Sequence, residues 1–146
     1  MFYAQDLNEH IDFLQINPII EQVIYSVKIP KINKNDVLQI TTEFEATNNY
    51  DFNVMIGAKI ILADSDKDTN GIVIDQSNGF NITKKMHHGV FCKARNWLAT
   101  SNYKNKYLSV VIWGISVNAQ NFDNLKIEKH YGHLDVFINN MPQAPW

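Results

Sequence analysis

Apolar runs rich in β-branched and aromatic residues recur from Val23 to Ile138, separated by Asn-, Asp- and Gly-rich turns. Many of these runs alternate with period two, and none makes a convincing amphipathic helix. The pattern predicts an all-β chain, an antiparallel β-sandwich of about eight strands that is closer to a jelly roll than to a small barrel. In the first strand, Glu21 to Ile29, the alternation places Val23, Tyr25, Val27 and Ile29 on one face. This strand should stop at Pro30, which cannot donate to a ladder. Asp36 to Thr47 alternates cleanly, with Leu38, Ile40, Phe44 and Ala46 inward and Gln39, Thr41, Glu43 and Glu45 outward. One face of that strand should meet solvent.

Two segments are apolar on both faces. From Phe52 to Ala63, Val54, Ile56, Ile60 and Leu62 oppose Met55, Ile61 and Ala63; from Lys106 to Val117, Tyr107, Val111, Trp113 and Ile115 oppose Leu108, Val110 and Ile112. A sandwich strand needs only one apolar face, so the outer faces here should be covered. With Ile56, Ile60, Val111 and Trp113 in the inter-sheet core, Met55, Ile61, Leu108 and Ile112 would fall outside it. The candidates for that cover are the N-terminal arm and a second copy of the chain, and self-association as a homotrimer is the expectation. Shorter strands are expected at Gly71 to Asp75, Phe80 to Thr83, His87 to Ala94 and Trp97 to Thr100, with a last pair, Leu125 to Tyr131 and Leu134 to Ile138, bent by Gly132.

These elements define one body, residues 20–140, between two ends. Residues 1–19, closing on Asn17-Pro18, read as an extended N-terminal arm with one helical turn near Leu7 to Phe13. Residues 141–146 form a Pro-punctuated C-terminal tail ending in Trp146. Both ends carry apolar anchors, among them Phe2, Tyr3, Phe13, Leu14 and Trp146. They are expected to dock on a neighbouring copy, on another protein or on their own subunit.

Composition narrows the possible partners. A chain of 146 residues buries a two-sheet core without a staple, and its single cysteine, Cys92, rules out an intrachain disulfide. A net charge of −2 with scattered Lys and Arg argues against nucleic acid, whose phosphates call for a concentrated basic surface. No apolar run is long enough to cross a bilayer as a helix. Asp6, Glu9 and Asp12 fall where a secretory signal would need an unbroken apolar stretch. Abundant Asn, Ile and Lys with few Pro and Arg suggest an AT-rich coding genome, as in many phages and host-associated bacteria.

Two local patterns could carry binding chemistry. Asp64-Ser-Asp66-Lys-Asp68-Thr-Asn70-Gly71 places oxygen side chains at positions one, three and five from Asp66 before a turn glycine, as in the first half of an EF-hand-type calcium loop. Ser77 stands where the bidentate glutamate belongs. Any calcium held by Asp64, Asp66, Asp68 and Asn70, with Asp64 or Asp75 completing the site, should therefore bind weakly, with a dissociation constant of about 10⁻⁴ to 10⁻³ M. The competing reading is a solvated hairpin loop, in which Asp and Asn favour the turn. The second pattern is aromatic: Trp97, Tyr103 and Tyr107 surround a polar connection containing Asn96, Asn102, Lys104 and Asn105. Aromatic walls with amide groups suit the apolar and hydroxylated faces of a sugar, although the same residues also suit a core flanked by loop asparagines.

Catalytic patterns are absent from the sequence. The adjacent pair His87-His88 points to opposite strand faces, and no Glu follows before Glu128, so the His-x-His signature of a cupin-like metalloenzyme fails. Cys92 sits inside a predicted strand, where a buried inert thiol is the common case. Glu43 and Glu45 share the outer face of one strand, whereas a glycosidase pair would span a cleft. The strand pattern from Val23 to Ile138 resembles virion jelly-roll structural proteins. That resemblance implies a non-enzymatic assembly protein located in the virion of a phage or virus, such as a capsid decoration, head-fibre or tail protein, with other virion proteins as partners. A lectin-like carbohydrate- or receptor-binding module, in the bacterial cytoplasm or at a cell surface, is the alternative.

Overall fold

The computed structural model describes residues 1–6, 11–12, 19–115 and 124–140. Ten strands run in the order β1 (Phe2–Asp6), β2 (Ile11–Asp12), β3 (Ile19–Ile32), β4 (Asp36–Asn48), β5 (Val54–Ala63), β6 (Ile72–Gln76), β7 (Phe80–Ile82), β8 (Met86–Leu98), β9 (Tyr103–Ile115) and β10 (Leu125–Asn140). They form two antiparallel sheets packed face to face. One has the order β1-β10-β4-β8 with β2 also on β10; the other has the order β3-β9-β5-β6 with β7 also on β5. The expected all-β sandwich is present, with ten strands among the described residues in place of about eight.

The core between the sheets is built from one face of each strand. Leu38, Ile40, Phe44 and Ala46 of β4 meet Ile56, Ala58, Ile60 and Leu62 of β5 and Leu108, Val110 and Ile112 of β9. Tyr25 is fully buried among them, and its hydroxyl donates to the Glu43 carbonyl at 3.1 Å, tying the two sheets together. The buried polar residues Asp36, Thr42, Asn48 and Ser109 each make a side-chain hydrogen bond, as the cost of an unpaired buried group requires, whereas the buried Trp113 Nε1 has no partner among the described residues. Asn48 Nδ2 donates to the carbonyls of Phe52 and Ile82, and its Oδ1 accepts the Tyr50 N–H.

Four differences from the sequence reading have local physical causes. The first strand does not keep Val23 on the face of Tyr25. A bulge inserts Ile24 between the Val23–Val111 and Tyr25–Val110 pairs, so Ile24 and Tyr25 both join the main core while Val23 packs on the outer face. Nor does the strand stop at Pro30. It continues to Ile32, with Pro30 opposite Asn105 between the Ile29–Lys106 and Lys31–Lys104 pairs, and Asn105 takes a left-handed φ of 53°. A missing donor on one strand is matched by a kink on the other, and Asn tolerates that conformation.

The third difference concerns the two-faced strands. Ile61, Ala63 and Val111 form a small second cluster with Val23 on the outer face, whereas Leu108 and Ile112 lie in the main core beside Ile56 and Ile60. The antiparallel register pairs Ile61 with Ser109 and Lys59 with Val111, which sets the odd-numbered residues of β9 on the outer side of β5. The assignment of Leu108 and Ile112 to a face outside the core is therefore reversed. Of the four residues expected to need a partner's cover, only Met55 is exposed. Fourth, the pairs of short strands expected at 87–100 and 125–138 are each continuous, as β8 and β10. Gly132 lies within the register shift between Glu128 and His133, so the expected bend appears as an irregularity inside one strand.

Within the segment expected as an extended arm, Phe2–Asp6 pairs along β10 from Phe137 to His133, and Ile11–Asp12 pairs with Ile127 and Lys126. Gln5 Oε1 also accepts the Ser26 N–H at 2.7 Å, joining β1 to β3 at that edge of the sandwich. The opposite edge is joined by an ion pair from Lys93 on β8 to Asp75 on β6, at 3.3 Å. The remainder of the expected helical turn and the tail with Trp146 lie outside the described residues.

Candidate functional site

Two connections that change sheets lie side by side at one end of the sandwich. The β3–β4 turn, residues 33–35, carries the chain from one sheet to the other, and the β8–β9 connection, residues 99–102, carries it back. The turn has an internal cause: Asn35 takes φ of 74°, and the nearly buried Asp36 accepts the Asn33 N–H on Oδ2 at 2.7 Å. Three bonds then clamp the crossings together. Asn35 N–H donates to the Ala99 carbonyl at 2.8 Å, Ala99 N–H to the Asp36 carbonyl at 2.9 Å, and Lys34 N–H to Asn102 Oδ1 at 2.7 Å. Every backbone partner comes from a distant part of the chain, so the crossings position one another.

Against this clamp lies an open depression of about 270 Å³ lined by Lys31, Ile32, Asn33, Asn102, Tyr103 and Lys104. The Tyr103 ring leans on Trp97 with centroids 6.2 Å apart and planes 38° apart, and both rings pack against the main core. The structure thus brings together Trp97, Asn102 and Tyr103 of the predicted aromatic site. It separates Asn105, which serves the kink opposite Pro30, and Tyr107, which lies further along β9 between Lys28 and Ala63. Sequence reading missed Lys31, Ile32 and Asn33. They belong to the other crossing, and only the pairing of Ile32 with Tyr103 and Lys31 with Lys104 brings them to the site.

Three carboxylates in and beside the calcium-like loop have other partners. Asp64 forms an ion pair with Lys106, Asp68 Oδ1 accepts the Asn70 N–H at 3.0 Å, and Asp75 pairs with Lys93. Asp66 is exposed on the loop. Ser77, at the twelfth position, holds Ala58: its Oγ accepts the Ala58 N–H and its own N–H donates to the Ala58 carbonyl. Among the described residues, no group of three His, Cys, Asp or Glu side chains is placed to hold a metal ion.

A third arrangement lies on the outer face of the β1-β10-β4-β8 sheet. His133 sits 3.2 Å by Nε2 from Glu43 Oε1 and 3.2 Å by Nδ1 from Asp135 Oδ2, next to the register shift in β10. The His133 carbonyl accepts the Thr42 hydroxyl at 2.8 Å. Glu43 is in register with Cys92 on its other side. Glu45, the other outward acid of β4, is in register with Glu128 and Gly89.

No family model and no curated protein matches the sequence. Solved structures match the fold. A chain in the structure of infectious bursal disease virus Gx strain superposes with a TM-score of 0.66, covering 99% of this chain at 14% identity. The Gt strain gives 0.67 over 99% at 12% identity, and the infectious bursal disease virus VP2 subviral particle gives 0.62 over 93% at 14%. The fold is shared with these viral chains. The expected resemblance to virion jelly-roll proteins therefore holds at the level of the fold. This chain spans about a third of the length of the viral chains, 34% for the Gx and Gt strains and 32% for the subviral particle.

Proposed function

We propose that this protein is a structural, non-enzymatic component of a virus particle and that its role is assembly. The observation that carries this reading is the fold likeness to chains of infectious bursal disease virus and its VP2 subviral particle, which covers almost the whole of this chain. Fold alone hosts many functions. The reading is supported further by two clamped sandwich edges and by large apolar side chains left on the outer surface, including Phe2, Phe137 and Leu98. A virion location follows from it, as do self-association, with a closed trimer as the working stoichiometry, and service as a decoration, head-fibre or tail protein. Light scattering and negative-stain microscopy of the purified chain at micromolar concentration test it. A closed oligomer or ordered particle supports the proposal, and a monodisperse monomer that adds to no particle overturns it.

A second reading is a carbohydrate- or receptor-binding module. It is favoured by the convergence of Trp97, Tyr103 and Asn102 beside an open depression at the clamped end. The two readings are compatible, since a particle protein also meets surfaces.

A further inference from the structure

The depression at the clamped crossings has an unusual charge arrangement. Lys31 and Lys104 are direct cross-strand partners in the β3–β9 pair, and both line the depression. Like charges directly opposite each other in an antiparallel pair are destabilising. Among the described residues, neither lysine has a carboxylate within ion-pairing distance, and Lys34 on the adjoining turn likewise has none. The nearest acid of the turn, Asp36, is nearly buried and accepts the Asn33 N–H. Four other lysines do have carboxylate partners, Lys59 with Glu21, Lys85 with Asp51, Lys93 with Asp75 and Lys106 with Asp64, whereas among the described residues Lys28, Lys67 and Lys84 stand singly without one. What sets Lys31 and Lys104 apart is that two uncompensated lysines share one rung and line one depression, on a chain whose net charge is −2.

Groups suited to a neutral, hydroxylated partner surround that pair. Asn102 Oδ1 is occupied by the Lys34 N–H, which leaves its Nδ2 as a donor at the surface. Asn33 lines the same depression, and the Tyr103 ring, backed by Trp97, supplies an apolar wall. The clamp holds these groups before any ligand arrives, so little ordering cost remains at binding.

We propose that this depression binds an acidic saccharide, with its carboxylate or sulfate group between Lys31 and Lys104 and its ring and hydroxyls against Tyr103, Asn33 and Asn102. The proposal rests on the carbohydrate-binding reading and adds the charge of the ligand. Two lysines on one rung are too few for a nucleic-acid backbone, which is gripped by an extended basic surface.

The test titrates the full chain with sialyllactose, a sulfated heparin disaccharide, lactose and inorganic sulfate, following amide shifts by NMR. The expected result is saturable binding of at least one acidic saccharide, with shifts at Lys31, Asn102 and Tyr103. It should be at least about tenfold tighter than lactose, weaken with added salt, and be lost in the Lys31→Gln, Lys104→Gln double variant. The single variant Lys104→Glu serves as a second check. It supplies a cross-strand partner for Lys31, so it should raise the melting temperature while abolishing acidic-saccharide binding. Equal binding of lactose would overturn the proposal and leave the broader carbohydrate reading standing. Displacement by sulfate as effective as by either saccharide would reduce the site to a simple anion site and overturn the saccharide assignment. Absence of saturable binding by both acidic probes up to about 10 mM would overturn it outright.

Discussion

The outer faces of the two sheets are built from the same alternating chain and end in opposite states. On the β3-β9-β5-β6 sheet, Ile61, Ala63 and Val111 are at most 1% exposed and pack with Val23. Trp113 lies over Gly57 on the neighbouring strand, and the Trp113 and Met55 side chains both reach Gly79. On the β1-β10-β4-β8 sheet, the corresponding face is open: Phe2 and Phe137 are direct partners yet 61% and 41% exposed, and Leu98 is 52% exposed. Gln39, Thr41, Ala94 and Asn96 continue this face across β4 and β8. An apolar outer face therefore does not by itself report a missing partner. One is buried at Ile61, Ala63 and Val111 although Met55 and Val73 beside them stay exposed, and the other keeps its aromatic pair in water.

Four variants sharpen or break this contrast. Ile61→Ala on the covered face removes a fully buried side chain and should cost about 2 to 5 kcal/mol by urea denaturation. A loss below about 1 kcal/mol would mean that the second cluster is not a true core. Gly57→Ala places a Cβ 2.2 Å from the Trp113 ring, so it should destabilise by about 1 to 3 kcal/mol and shift Trp113 fluorescence. Glu21→Gln removes the carboxylate that pairs with Lys59 at 3.7 Å on the rim of the same face. Glu21 is well exposed, so the loss should not exceed about 1 kcal/mol. The smallest effect on folding is expected from Phe2→Ser with Phe137→Ser on the open face, within about 0.5 kcal/mol for each site. If copies associate through that face, the pair should nevertheless lower the oligomer fraction in light scattering. Unchanged association would move the interface elsewhere.

The crossings at the clamped end show how far the chain could be read in advance. Trp97, Asn102 and Tyr103 were recognisable because they fall close together in one polar connection flanked by strands. Lys31 and Asn33 were not, since they lie about seventy residues earlier and reach the site only through the β3–β9 register. The acidic loop at Asp64 to Gly71 was visible as a composition, but the ion pairs that engage Asp64 and Asp75 come from β9 and β8.

What the sequence determined by itself is the alternation: period-two patterning dictates strands, and the clean hydrophobic set of β4 dictates which of its faces is inward. Tertiary structure alone decided the parity of β9 against β5 and the placement of Val23. A single inserted residue such as Ile24 reverses every later side chain on a strand, and the residues on either side of a bulge look alike in one dimension. It also decided that Lys31 and Lys104 share a rung, because cross-strand neighbours are set by register and not by distance along the chain.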